Sequence, residues 1–84
     1  MHSTYILRSK KDNRYYIGST DNLEKRLQQH NSGRSPYTKG KGPFVLAYKE
    51  DFITRSEAKQ REYYLKSLKS RIALEKIMSK AAIV

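Results

Sequence analysis

The chain has 84 residues, with 18 Lys and Arg against 8 Asp and Glu, for a formal net charge of +10. At 9.8 kDa it has room for one core, so a single domain over residues 1–84 is expected. The absence of cysteine excludes disulfides, zinc–thiolate sites, iron–sulfur clusters and thiol nucleophiles.

Residues Ser3–Ser9 and Arg14–Thr20 are rich in Tyr, Ile and Thr and read as two strands. The polar run Lys10-Lys11-Asp12-Asn13 between them predicts a hairpin turn. An even-length loop places odd positions of the first strand opposite even positions of the second, and directly opposed side chains share a face. Tyr5, Leu7, Tyr16 and Gly18 then line one face, and Ile6, Arg8, Tyr15 and Ile17 the other. In this register Tyr5 lies opposite Gly18 and Tyr16 opposite Leu7, which makes the two tyrosines diagonal neighbours.

Asp21 followed by Glu24 predicts a capping box that opens a helix over Asn22–Asn31, with Gly33 as the stop. Measured from Leu23, Leu27 falls at about +40°, His30 at about −20° and Arg26 at about −60° around the helix axis. A histidine and an arginine therefore share the sector that the leucines turn inward. Lys25, Gln28 and Gln29 take the outer side. Ser32–Gly42, with three glycines and one proline, reads as an exposed loop carrying Arg34, Lys39 and Lys41.

Pro43–Glu50 predicts a third strand centred on Val45-Leu46-Ala47-Tyr48. Thr54-Arg55-Ser56-Glu57 is a second capping box, opening a helix to about Leu68. On it Leu65 lies at about −20° from Ala58 and Glu62 at about +40°, so a carboxylate borders the apolar stripe. Ser70 caps a last helix with Leu74, Ile77, Met78 and Ala81 on one side. The order ββαβαα predicts an α+β fold: a three-stranded, largely antiparallel sheet packed by helices.

The basic excess is spread through the chain, 9 − 3 = +6 before Pro43 and 9 − 5 = +4 from it onward. Such a body repels itself unless its partner is an anion, and nucleic acid is the commonest large one. No apolar run nears the about 20 residues that a membrane span needs, and a cytoplasmic protein without membrane contact is expected. Polar groups stand where a core is expected: Tyr5, Tyr16, Arg26, His30 and Glu62. Burying such groups unpaired is costly, so they pair or line a cleft. Phenols, a guanidinium, an imidazole and one carboxylate suit phosphodiester chemistry. The bland alternatives are strand aromatics, a snorkelling arginine, a histidine at a helix C-terminus and a Glu62–Lys66 pair. Lys59, Lys66, Lys69, Arg71, Lys76 and Lys80 read as a solvated face.

Tyr5, ten residues, Tyr16-Ile17-Gly18, then Asp21 through Gly33 with Arg26 ten residues after Tyr16, together resemble the GIY-YIG nuclease domain. Arg55 through Glu62 resembles that family's metal-binding helix, and the likeness runs from about Ser3 to Ser70. It is strongest toward small stand-alone bacterial members, which resemble the nuclease domain of the excision-repair incision subunit. The resemblance implies an endonuclease that cuts DNA by attack of water, using one Mg²⁺ or Mn²⁺, with RNA left open as substrate. It implies Glu62 as metal ligand, Arg26 on the scissile phosphate, Tyr5 as proton acceptor, Tyr16 in orientation and His30 in the same network. Two departures stand out: Ser3-Thr4-Tyr5 replaces Gly-Ile-Tyr, and Ser19 occupies the place of a lysine in the repair branch. Arg34, Lys39 and Lys41 are candidate phosphate contacts. A protein partner supplying targeting, and a binding module without its own catalysis, remain open at this point.

Overall fold

The computed structural model describes residues 1–33 and 38–82, with the side chains of residues 81 and 82 left aside. Arg34 and the side chain of Ala81, both named above, lie outside the described residues.

The elements follow in the order β1 (His2–Ser9), β2 (Tyr15–Thr20), α1 (Leu23–Asn31), β3 (Phe44–Phe52), α2 (Arg55–Ser67) and α3 (Arg71–Ala82). The sheet order is β2-β1-β3, antiparallel throughout. The central position of β1 explains its unbroken buried run Thr4-Tyr5-Ile6-Leu7: with a neighbour on both sides and helices on both faces, no side of it meets water. The hairpin register is as expected, with Tyr5 opposite Gly18 and Leu7 opposite Tyr16. The turn closes through Ser9 N–H to Arg14 C=O at 2.9 Å.

Alternation along β1 sends its side chains to two cores. Tyr5, Leu7, Tyr16 and Phe44 form one, covered by Leu23 and Leu27 of α1. Ile6, Leu65 and Leu74 form the other, which α2 and α3 cover. The sheet is thus the middle layer, with α1 on one side and α2–α3 on the other. Thr4 pins α2 in place by donating 2.7 Å to the Ala58 carbonyl in a fully buried contact.

Two expectations need correction. The first helix is capped by Asn22, whose side chain accepts from the Lys25 N–H at 3.1 Å, and not by Asp21. Asn22 has the extended backbone that a cap requires, so the helix starts one residue later. β3 runs on to Phe52 because its charged end is satisfied across and along the strand: Ser3 of β1 donates to Asp51 at 2.6 Å, and Lys49, two residues away on β3, pairs with Asp51 at 2.9 Å. A bulge between Ile6 and Leu7 also shifts its register, so that Tyr48 opposes Ile6 and Leu46 opposes Leu7. Ala47 is the extra residue, and the apolar centre of β3 is divided between the two faces. The second capping box, Thr54 with Glu57, forms as expected, and the Ser70 hydroxyl accepts from Ala73 N–H at 3.2 Å.

Candidate active site

The site begins with a glycine. A Cβ built on Gly18 would stand 2.4 Å from the Tyr5 hydroxyl oxygen and 2.6 Å from its ring carbon Cζ. The phenol of Tyr5 therefore lies across the backbone of β2, the outer strand, in space that any side chain at position 18 would fill. By this crossing, a residue of the central strand reaches the edge of the sheet.

Arg26 and His30 come to the same edge from α1. His30 is buried, and its Nε2 lies 3.1 Å from the Tyr5 hydroxyl. Its Nδ1 lies 2.6 Å from the hydroxyl of Thr38, which is fully buried. A phenol, an imidazole and a hydroxyl thus form one chain, able to pass a hydrogen-bond direction from end to end. Burial pushes the His30 pKa below its ordinary value, and the positive charge of Arg26 adds to that. Burial likewise raises Tyr5, although Arg26 works against it by favouring the phenolate. Arg26 is steadied by donating to Gln29 at 3.0 Å, and Gln29 is half-buried rather than outward as expected.

Glu62 arrives from the opposite face of the sheet. It is 6% exposed, between Ala58 and Leu65 on the buried stripe of α2. Ser19 donates to its Oε1 at 2.6 Å, Lys59 approaches the same oxygen at 3.4 Å, and Lys66 reaches Oε2 at 2.7 Å. Burial alone would raise this carboxyl, but the Lys66 and Ser19 hydrogen bonds and the two ammonium charges outweigh it and hold the pKa below the ordinary carboxylate value. Glu62 is accordingly ionised at neutral pH.

Tyr5, Ile17, Gly18, Ser19, Arg26, His30, Lys59, Glu62 and Lys66 line one cleft of about 190 Å³ at the β2 edge. Residues from both sides of the sheet meet here because the edge is the place where the two helical layers can touch. Four of the expected residues converge: Tyr5, Arg26, His30 and Glu62. Tyr16 lies off this lining, buried with its ring edge-on to Phe44 at 5.3 Å and the Lys41 ammonium 5.7 Å from its centroid. Lys39 is exposed in the loop.

Sequence reasoning missed Ser19, Thr38 and Lys59. The i, i+3 spacing of Lys59 to Glu62 was the available signal for the last. Nothing local marks Thr38, which sits in what reads as an exposed loop. Among the described residues no group of three or more His, Cys, Asp or Glu gathers to hold a metal ion. The donor set is one ionised carboxylate in a polar cleft, which suits a hard cation that keeps most of its waters. The two lysines on it have half-exposed side chains, so their ammonium groups can yield to such an ion.

A family model described as the GIY-YIG catalytic domain matches residues 1–77. A UPF0213 protein of Clostridium perfringens is 46% identical over 82 residues, 96% of this chain and 87% of that one. Another, from Oceanobacillus iheyensis, is 50% identical over 68 residues, 80% of this chain and 78% of its own. The solution NMR structure of a UPF0213 protein from Bacillus halodurans shares the fold with a TM-score of 0.60 at 39% identity, covering 93% of this chain and 82% of that one. A match over nearly the whole chain, joined to relatives of this identity and a shared fold, shows that the chain belongs to the GIY-YIG catalytic-domain family, a membership that supports a nuclease-type function.

Proposed function

We propose that this protein is a divalent-metal-dependent DNA endonuclease that hydrolyses a phosphodiester bond by attack of water. The observation that carries the reading is the convergence of Tyr5, Arg26, His30 and Glu62, from three separate elements, on one cleft at the β2 edge. Glu62 would hold Mg²⁺ or Mn²⁺, which when bound supplies Lewis-acid charge to the phosphate oxygens. Arg26 places a fixed cation where negative charge develops on the phosphoryl group. Tyr5 stands where it can accept a proton from the attacking water while passing its own to His30 Nε2, 3.1 Å away. His30 is suited to that relay because burial and Arg26 keep it neutral and ready to accept. The nearby charge of Arg26 then favours return of the proton. Tyr16 supports the sheet face behind Tyr5, and its role in orientation acts through packing.

The test is cleavage of labelled DNA in Mg²⁺, Mn²⁺ or chelator. Cleavage is expected only with metal. Arg26→Ala should lower the rate by about 10²–10³-fold, and Glu62→Ala should abolish it with the far-ultraviolet circular dichroism unchanged. Parent-like cutting by both folded variants overturns the assignment.

A second reading, a basic nucleic-acid-binding module without catalysis of its own, is favoured by one observation. Both oxygens of Glu62 are engaged by lysines, at 3.4 and 2.7 Å. Under that reading DNA binding falls steeply with salt and no divalent metal elicits cutting.

A further inference from the structure

The cleft has a neighbouring hollow toward each end of β2. At the Thr20 end of β2 lies a hollow of about 440 Å³ that shares Ser19, Arg26 and Lys59 with the cleft and adds Arg55 from the start of α2. At the Tyr15 end lies a second hollow of about 440 Å³, which shares Ile17 and Lys66 with the cleft. That hollow adds Arg14, Lys69 and Arg71. The three spaces succeed one another along β2, touching Thr20 and Ser19, then Gly18 and Ile17, then Tyr15. One carboxylate, Asp21, lines the first hollow, and none lines the second. Cations therefore stand on both sides of the catalytic cleft, along an edge strand whose outer side no other strand covers.

From this placement we infer that the outer edge of β2 is the track of a DNA strand, with backbone phosphates held by Arg55 and Lys59 on one side of the scissile bond and by Lys66, Lys69 and Arg14 on the other. The inference deepens the nuclease reading and rests on it for what happens at the middle of the track. From Tyr15 to Thr20 the strand advances about 17 Å, the axial length of about five nucleotides in one strand of a B-form duplex. Contacts on both flanks select the interior of a strand over its ends, because only an interior phosphate has neighbours to fill both arms. Each arm is sequence-blind, since lysine and arginine on phosphates position a backbone without reading bases. Arg71 contributes less than its charge suggests, since it is shared with Glu75 at 3.5 Å and the Tyr15 ring at 4.2 Å. Arg14, 3.7 Å from Asp12, is discounted likewise, and Lys59 and Lys66 must turn from Glu62 to reach a phosphate.

The test measures binding of a fluorescein-labelled DNA duplex by the full chain, in chelator, across a salt series. Arg55→Gln removes one charge from the first arm. Lys69→Asn removes one from the second, with a residue that tolerates the left-handed φ of 48° at that position. Lys76→Gln removes the same charge from an exposed site on α3 that lines neither hollow. Each arm variant should flatten the slope of log K against log salt by about 1, the pair together by about 2, and Lys76→Gln should leave it unchanged. A parent-like slope for either arm variant, or an equal flattening by Lys76→Gln, overturns the track. The outcome separates from that of the nuclease reading. The expected slopes with no cleavage in any metal would sink the endonuclease alone, and Glu62-dependent cleavage with unresponsive slopes would sink the track alone.

Discussion

At the scale of single residues, position 18 decides whether the site exists. The Tyr5 phenol occupies the volume that a methyl group there would take, and Tyr5 is itself buried, so its ring has no cheap way aside. Gly18→Ala should cost about 1–3 kcal/mol by overpacking, and it should remove cleavage far beyond that loss because the phenol leaves the cleft. Urea unfolding read beside the cleavage rate checks this, and a fully active, equally stable variant would contradict it. His30 is the second residue whose environment makes a prediction. Its folded pKa lies below the ordinary 6.5. The unfolded chain then binds more protons below that value, so the stability His30 contributes is complete above pH 6.5 and is lost as pH falls through the folded pKa. Glu62 has the same sign in a lower window, starting at its ordinary 4.5. The midpoint temperature of the parent should therefore decline as pH falls below 6.5, while that of His30→Gln stays flatter until the carboxylates titrate. Equal declines in both proteins would refute the assignment.

At the scale of elements, each helix is started by its own cap and placed by tertiary contacts. Thr54 and Glu57 satisfy one another's backbone N–H groups in a reciprocal box at the head of α2, the helix that carries Glu62. Thr54→Ala should cost about 1 kcal/mol, which for a domain of this size lowers the thermal midpoint by about 4–8 °C. Calorimetry checks it. Seating is shared among specific contacts. Asn31 holds the start of β3 against α1, donating to the Phe44 carbonyl at 3.2 Å and accepting from its N–H at 2.6 Å. Arg61 joins α2 to β3 through both oxygens of Glu50, at 2.9 and 3.0 Å. The capping box was legible because it is a four-residue pattern. The Asn31 and Arg61 contacts were not, since nothing near either residue along the chain names its partner.

At the scale of the whole molecule, the sequence by itself determined the order of elements, the hairpin register and the pairing of Tyr5 with Gly18. It also determined the inward sector of α1 that carries Arg26 and His30. These depend on turn length, on the parity of strands and on the helical repeat, all of which act over a few residues. The spacing of Tyr5, Tyr16, Arg26 and Glu62 carried the resemblance to the family for the same reason, as a pattern along the chain. Only the tertiary structure decided on which side of the sheet each helix lies. Tyr5 and Glu62 belong to opposite layers, and they meet because β2 is an edge strand with a glycine where the phenol crosses it. It also decided that Lys59, Lys66 and Ser19 hold Glu62, that a loop threonine supports His30, and that β3 carries a bulge. Those outcomes follow from burying two apolar faces of one thin sheet at once, a condition imposed by residues far apart in the chain.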